Sequence, residues 1–364
     1  METMDVSYTQ GNKPEFMSDL RGKVQEFFEQ QQASEQGNLN LLLQTVFMLA
    51  LYIIPYLLMM FGVVESLSIA FICWVLMGFG MAGIGMVTMH DANHQAFSPN
   101  YKTNYWLSKS LYLLGGFPPN WRHQHNTMHH GYPNVEGMDE DIAPVGILRL
   151  SPHKPLKKIH RFQHIYAWFL YGLMTFSWVF MKDYKQLTGY RKRKIVLSNN
   201  KSYAYLFTDL IVTKLVYYFA LIVLPILVLP FAWYWTILFF LVMHFIAGLI
   251  LGVIFQTAHV VDTSIYPLPD KNGLMQNSWA EHQLLTTSDF APKNKILSWL
   301  IGGLNYQVEH HLFPNISHVH YPKIAGIVRD TAKNHGLPYH IQKGFFNGIA
   351  AHARMLKRLG RGIV

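Results

Sequence analysis

Residues 67–94 read LSIAFICWVLMGFGMAGIGMVTMHDANH. Leu67–Met89 holds no charged side chain. A hydrocarbon core of about 30 Å needs about 20 residues of helix, so this run can cross a bilayer. It passes without a break into His90, Asp91, Asn93 and His94. His90 and His94 are i, i+4 and share one face of a helix continuing out of the run. One apolar span therefore delivers two imidazoles to one membrane surface.

Three more apolar runs lie outward from this one, at Leu41–Phe61, Ile211–Leu229 and Phe231–Phe255. Gly62, Glu65 and Ser66 separate the first two runs, and Pro230 separates the last two. The pattern predicts an all-α integral membrane protein whose four spans form two hairpins, about 41–61 with 67–89 and 211–229 with 231–255. Residues 1–40 would form a polar N-terminal segment, with an amphipathic helix at Ser18–Gln32 capped near Ser18 or Asp19. Residues 90–210 and 256–364 would form a water-facing cap, and together with the spans it would make one domain over 41–364. Composition agrees. Of 364 residues, 51% are hydrophobic and 14% charged, against roughly 25% charged in ordinary soluble domains. Mean hydropathy is only +0.13, so much of the chain faces water. The lone Cys73 excludes an intrachain disulfide and a thiolate metal cage.

Lysine and arginine placement sets the orientation. Three precede residue 41, 15 lie between 90 and 202, 11 follow 256, and Lys214 alone falls inside a span. Neither tight turn carries one. The positive-inside rule then puts both termini and the middle region in the cytoplasm, beneath a bacterial inner membrane or an endoplasmic reticulum membrane. The net charge of +9 suits anionic membrane lipids and needs no nucleic acid. Tyr105–Phe117 and His164–Met181 are apolar but too broken to span, and are expected in the interface. Phe345–Leu359 reads as a basic amphipathic helix on the membrane surface. Asp209 reads as interfacial and Lys214 as snorkelling to the headgroups. Trp233, Tyr234 and Trp235 read as an aromatic belt.

The chain carries 19 His, and their spacing repeats. His125 and His129 are again i, i+4, with His130 adjacent. Gln307 precedes His310 by three and His311 by four. The fourth span would return Gln256 and His259 to the surface reached by His90. Four clusters, with eight His and Gln307 as an oxygen donor, thus converge on one side of the bilayer. That is too many for one tetrahedral zinc and suits two metals. Imidazole binds Zn, Cu, Fe or Ni, so ligand type alone does not choose. His244, mid-span, is either functional or hydrogen-bonded to a neighbouring helix. His123 is not expected to be a ligand. His153, His318, His320, His335, His340 and His352 read as surface or structural.

The motifs H-D-A-N-H (His90–His94), H-N-T-M-H-H (His125–His130) and Q-V-E-H-H (Gln307–His311) resemble the three histidine boxes of the membrane fatty acid desaturases. The flanks W-R-H-Q-H-N, H-R-F-Q-H-I-Y (His160–Tyr166) and N-Y-Q-V-E-H-H-L-F-P resemble that family too. The similarity covers roughly residues 41–360. It implies a cytoplasmic helical cap holding two non-haem iron ions, with dioxygen as co-substrate. The glutamine opening the third box resembles the front-end acyl-lipid or acyl-CoA desaturases, which act near position 6. No H-P-G-G haem motif of a fused cytochrome b5 domain is seen, so a separate donor of ferredoxin or cytochrome b5 type is expected to supply electrons.

The resemblance thus implies oxygen-dependent desaturation of a fatty acyl chain, with the metal centre doing the chemistry. Asp91, Asn93, Asn126, Gln256 and the trio Asp139, Glu140, Asp141 are candidates to orient the ligands. His160, His164 and His282 could be ligands, orienting groups or headgroup contacts. The alternatives are a di-iron fatty acid or alkane hydroxylase or ketolase, which begins with the same hydrogen abstraction, and a His-lined metal transporter. A transporter site should lie near the midplane, whereas these boxes lie at span ends and beyond.

Overall fold

The computed structural model describes residues 6–143, 146–197 and 201–364. Among the described residues, four helices are long and apolar enough to cross a membrane: Leu39–Met60, Leu67–Asn93, Tyr203–Val228 and Trp233–His259. All four expected runs are helical, with shifted ends. The second and fourth run on through His90 and His259, and the third begins eight residues before Ile211. Asn38 caps the first span by accepting from the backbone N–H of Asn40 and Leu41, a favoured use of a short amide.

Glycines set how closely the spans pack. A Cβ on Gly80 would lie 2.7 Å from the Tyr52 nitrogen, and one on Gly78 would lie 2.9 Å from the Met243 oxygen. The second span therefore touches both the first and the fourth almost backbone to backbone, as small residues allow in membrane bundles. Trp74, Met77 and Met81 fill the seam. Leu42, Val46, Ile72, Phe79, Val212 and Leu215 point outward, exposed, as lipid-facing side chains must be.

The two broken apolar stretches do not lie flat in an interface. Helix Gln163–Gly172 runs down beside the fourth span: Tyr171 meets Gly252, and Gly248 packs on the Gly172 carbonyl. Thr175 then donates to the His244 carbonyl, mid-span. The chain turns there and climbs back through Trp178–Lys182 and Asp183–Lys192. Tyr101–Leu114 makes a similar descent. Leu113 accepts from Tyr52 of the first span, and Gly115, at φ 71°, turns the chain back. Tertiary packing beside spans lets these interrupted segments enter the apolar layer, because protein covers their irregular backbone.

Lys214 also differs from expectation. It does not snorkel. Its ammonium is buried and bonds Asp183 at 2.6 Å and the carbonyls of Gly115 and Trp178. One cation thus pins both re-entrant turns to the third span. Asp209 accepts from Tyr112 instead of standing free at an interface. His244 takes the hydrogen-bonding option, with Tyr217 and Thr175 as partners.

The cap is helical, with two short parallel strand pairs, Ser7–Tyr8 with Leu274–Met275 and Asp289–Phe290 with Ile341–Gln342. The N-terminal helix spans Phe16–Gln30, begins after Glu15 rather than at Ser18, and packs Phe16, Leu20, Val24 and Phe28 against Tyr321–Asn334. The C-terminal helix Phe345–Arg361 turns Ala351, His352, Met355, Leu356 and Leu359 into the protein. Leu356 is wholly buried, whereas Phe346 is exposed, so most of the apolar face of this expected membrane-surface helix packs on protein.

Candidate metal centre

The first box continues the second span, and the fourth span ends at His259. The second box lies on His123–His129, wound as a wide π-helix, and the third on Gln307–Leu312. The second span also widens into a π-turn at Gly85–Met89, just before His90. Such bulges often mark functional positions because they re-aim side chains.

These elements bring all eight predicted histidines together. His90, His94, His125 and His310 form one group with a ligand atom from each within 4.8 Å of the others. His129, His259 and His311 form a second, and His130 groups with both His310 and His311. Its Nε2 is 3.3 Å from that of His125. All eight are buried. Among the described residues, His90 Nδ1, His94 Nε2, His129 Nε2, His130 Nδ1, His259 Nδ1, His310 Nε2 and His311 Nε2 are buried without a hydrogen-bond partner. Native interiors rarely leave so many polar atoms unpaired in one place. An all-nitrogen set of imidazoles fits two transition-metal ions and explains the pattern.

Electrostatics supports the same state. Burial, then repulsion from neighbouring imidazoles, holds His94, His125, His130, His310 and His311 well below the usual histidine range. They are neutral, the form that binds metal. His129 differs. Burial opposes its charge, but Asp139 and then Asp141 outweigh that and raise it.

A surrounding ring orients the ligands. Asp139 accepts from His129 Nδ1. Gln283 Oε1 lies 2.8 Å from His311 Nδ1, and the Tyr321 hydroxyl lies 3.2 Å from His310 Nδ1. In each case the far Nε2 is left free, the usual arrangement behind metal-bound histidines. Gln283 sits one residue beyond His282, which the sequence singled out; nothing in the sequence pattern marked Gln283 or Tyr321. Asp91 lies 3.8 Å from His90 Nδ1 and is held by Ser317 Oγ at 2.8 Å and His318 Nδ1 at 2.9 Å. His318 is thus structural and buried, and reaches Gln44 of the first span through its other nitrogen.

Other candidates fall at various distances. Asp141 groups with His125 and His129 and accepts from Gln124. Asn126 donates to the Asn93 carbonyl, fastening the second box to the first. Gln256 donates weakly to the Asp141 carbonyl at 3.4 Å. Gln307 Oε1 lies 3.3 Å from His259 Nε2. His160 lies outside the cluster and bonds Gly146 and Lys157. Among the described residues, His164 belongs to none of the groups that could hold a metal. His282 bonds the Pro133 carbonyl and supports the loop after the second box. Glu309, inside the third box, turns aside and shares the Tyr339 hydroxyl with Asp289.

A cavity of about 560 Å³ opens onto the cluster. His90, His125, Gln307 and His310 line it, as do Met86, Leu251 and Phe255 of the spans and Leu173, Met174 and Trp178 of the re-entrant hairpin. That volume lies in the range of small-molecule sites, about 300–1,000 Å³.

A family model described as fatty acid desaturase matches residues 65–343. The chain is 30% identical over 363 residues to an sn-1 linoleoyl-lipid 6-desaturase of Arthrospira platensis, covering 99% of this chain and 96% of that one. It is 31% identical to an enzyme of the same name from Synechocystis, covering 98% of each. An acyl-lipid (8-3)-desaturase of Physcomitrium patens is 32% identical over 98% of this chain and 74% of its own length. A match that runs from the second span past the third box, with similarity along the whole chain to enzymes of one kind, means that the chain belongs to the fatty acid desaturase family.

Proposed function

We propose that this desaturase acts as a front-end enzyme on a lipid-bound acyl chain, near position 6, at a di-iron centre. The ligands would be His90, His94, His125 and His310 on one side and His129, His259 and His311 on the other. His130 would lie between them, with Gln307 as an oxygen donor. The observation that carries this reading is the shared wall: one cavity is lined both by box histidines and by apolar residues of two spans and a re-entrant hairpin. A saturated carbon chain has no polar group near the reacting carbons, so only such a wall can fix its register.

When bound, the irons supply, with dioxygen and two electrons from a separate donor of ferredoxin or cytochrome b5 type, an oxidant able to attack an unactivated methylene. The balance is one CH2–CH2 unit, one O2, two electrons and two protons giving one double bond and two waters. The protein's own part is positional. Asp139, Gln283 and Tyr321 aim the imidazoles. Met86, Leu251, Phe255 and Met174 exclude water from the chain. The relatives named as linoleoyl-lipid 6-desaturases support a polyunsaturated glycerolipid substrate. The basic middle and C-terminal regions support a cytoplasmic cap and termini, in a bacterial inner membrane or an endoplasmic reticulum membrane.

The test is the fatty acid profile of cells expressing the chain and supplied with linoleate, read by mass spectrometry with double-bond location. His129→Ala and His310→Ala serve as controls. A new double bond near position 6, absent from both controls, is expected. Full activity in the two variants would sink the assignment, and a hydroxylated product would replace it with the hydroxylase alternative.

A further inference from the structure

The cavity is not apolar throughout. Lys182, Lys185 and Gln186, on the climbing arm of the re-entrant hairpin, line the same space as His90 and His125. Gln186 donates to Gln124 at 2.9 Å and to Glu140 at 2.6 Å. Gln124 immediately precedes His125. Its amide donates to Asp141, whose other oxygen is 3.6 Å from His129 Nδ1. The polar wall therefore abuts the metal cluster. Leu173, Met174 and Leu251 line the same cavity near the turn that reaches the level of His244.

Neither lysine makes a salt bridge among the described residues, although carboxylates lie close. Each of those is otherwise engaged: Glu140 with Arg193 and Gln186, Asp183 with Lys214, Asp141 with Gln124. The Lys182 ammonium rests 5.6 Å from the ring centroid of Trp178, itself part of the wall. Two cations that make no salt bridge among the described residues border a cavity whose far end is hydrocarbon. A linear amphiphile fits it in one direction only.

We propose that Lys182 and Lys185 bind the phosphate of the acyl carrier, with Gln186 beside them, so that the carboxyl end of the chain enters next to the metal cluster. This rests on the front-end reading above and gives it a physical cause. With the head held at a wall one side chain from His125, only a few carbons separate the carrier from the reacting position. The methyl end descends toward Met174. A phospholipid and a coenzyme A thioester both offer such a phosphate; a neutral glycolipid does not.

The test uses the full chain in linoleate-fed cells whose membranes hold both phospholipids and neutral glycolipids. Product is resolved by carrier, with the acyl-CoA pool quantified separately in a short labelling pulse. Wild type, Lys182→Gln/Lys185→Gln and Lys182→Arg/Lys185→Arg are compared at equal protein and iron content. The expected result is first appearance of the new double bond on phospholipid or acyl-CoA, the earlier-labelled pool naming the source. The glutamine pair should lower it about tenfold, the scale of losing charge-assisted contacts, and the arginine pair should keep it within about twofold, since guanidinium also binds phosphate. First appearance on neutral glycolipid, or a glutamine pair as active as wild type, overturns the phosphate site while leaving desaturation standing. Wild type without any new double bond, in cells that also supply ferredoxin and cytochrome b5 with their reductases, overturns the front-end reading itself.

Discussion

His129 Nδ1 lies 3.2 Å from each oxygen of the Asp139 carboxylate. The same carboxylate also accepts from the backbone N–H of Asn134 and Asp141 at 2.9 Å. Three anchors fix it, so it in turn fixes the tautomer and direction of the ring. His129 Nε2 is then the lone pair presented to the second histidine group.

Asp139→Asn should therefore weaken metal binding without unfolding the cap. An amide can present its NH2 to Nδ1 and favour the wrong tautomer. Loss of such an orienting partner typically costs 10–100-fold in metal affinity or activity. Iron per chain after dialysis against a graded chelator series checks this. Retention equal to wild type would mean that Asp139 only braces the loop.

Lys214 and Asp183 make a buried pair between the third span and the climbing arm of the hairpin, with side chains 3% and 7% exposed. Lys214→Met alone would strand a buried carboxylate, a loss of about 3–5 kcal/mol in comparable pairs. Lys214→Met combined with Asp183→Leu should recover most of it, since an apolar replacement of both partners is often neutral. Thermal unfolding midpoints in detergent for the two singles and the double would show the recovery. Additive losses in the double would mean that the carbonyls of Gly115 and Trp178 need the ammonium more than Asp183 does.

Most of this architecture was legible in the sequence because it rests on local signals. Apolar run length gave four spans, and i, i+4 spacing gave the boxes. The two-hairpin pattern gave their common side. What escaped depends on long-range packing. Nothing within His164–Met181 says that Gly248 will let it lie against the fourth span. Lys214 read as a snorkelling cation because its partner is 31 positions away. His318 read as surface or structural without a named partner because Asp91, which it holds, is 227 positions away. For His160 and His164 the sequence left three roles open: helical spacing is necessary for a shared ligand face, but only the fold decides whether that face meets the cluster, and among the described residues it does not.

Acid should destabilise the cap before it affects the spans. Burial, opposed by a hydrogen bond to the Pro133 carbonyl, pushes His282 down to about 4. Burial, opposed by the Val260 carbonyl, does the same for His352. Both are neutral when folded, while the unfolded chain protonates near 6.5. Their contribution is present in full above pH 6.5 and is lost as pH falls from there toward about 4, at about 1.4 kcal/mol per unit per group. Thermal midpoints between pH 7.5 and 4.5 should fall steadily, and less steeply in His352→Gln. A midpoint that rises on acidification would contradict the buried neutral state.

The apolar end of the cavity should measure chain length. Met174 lies at the turn of the hairpin, next to Thr175, which bonds the fourth span at mid-depth. It is far in sequence from every box, and it touches no proposed metal ligand in the hydrogen-bonding network. Met174→Trp would fill the space where the methyl end of a long chain is expected to rest. Overpacking costs about 1–3 kcal/mol, and a shorter chain escapes that cost. In competition between acyl chains differing by four carbons, the long-to-short product ratio should fall by about tenfold with iron content unchanged. An equal loss for both lengths would mean that the methyl end does not reach Met174. The orientation of the chain in the cavity would then have to be reversed, with its head against the hairpin turn and its tail toward Lys185.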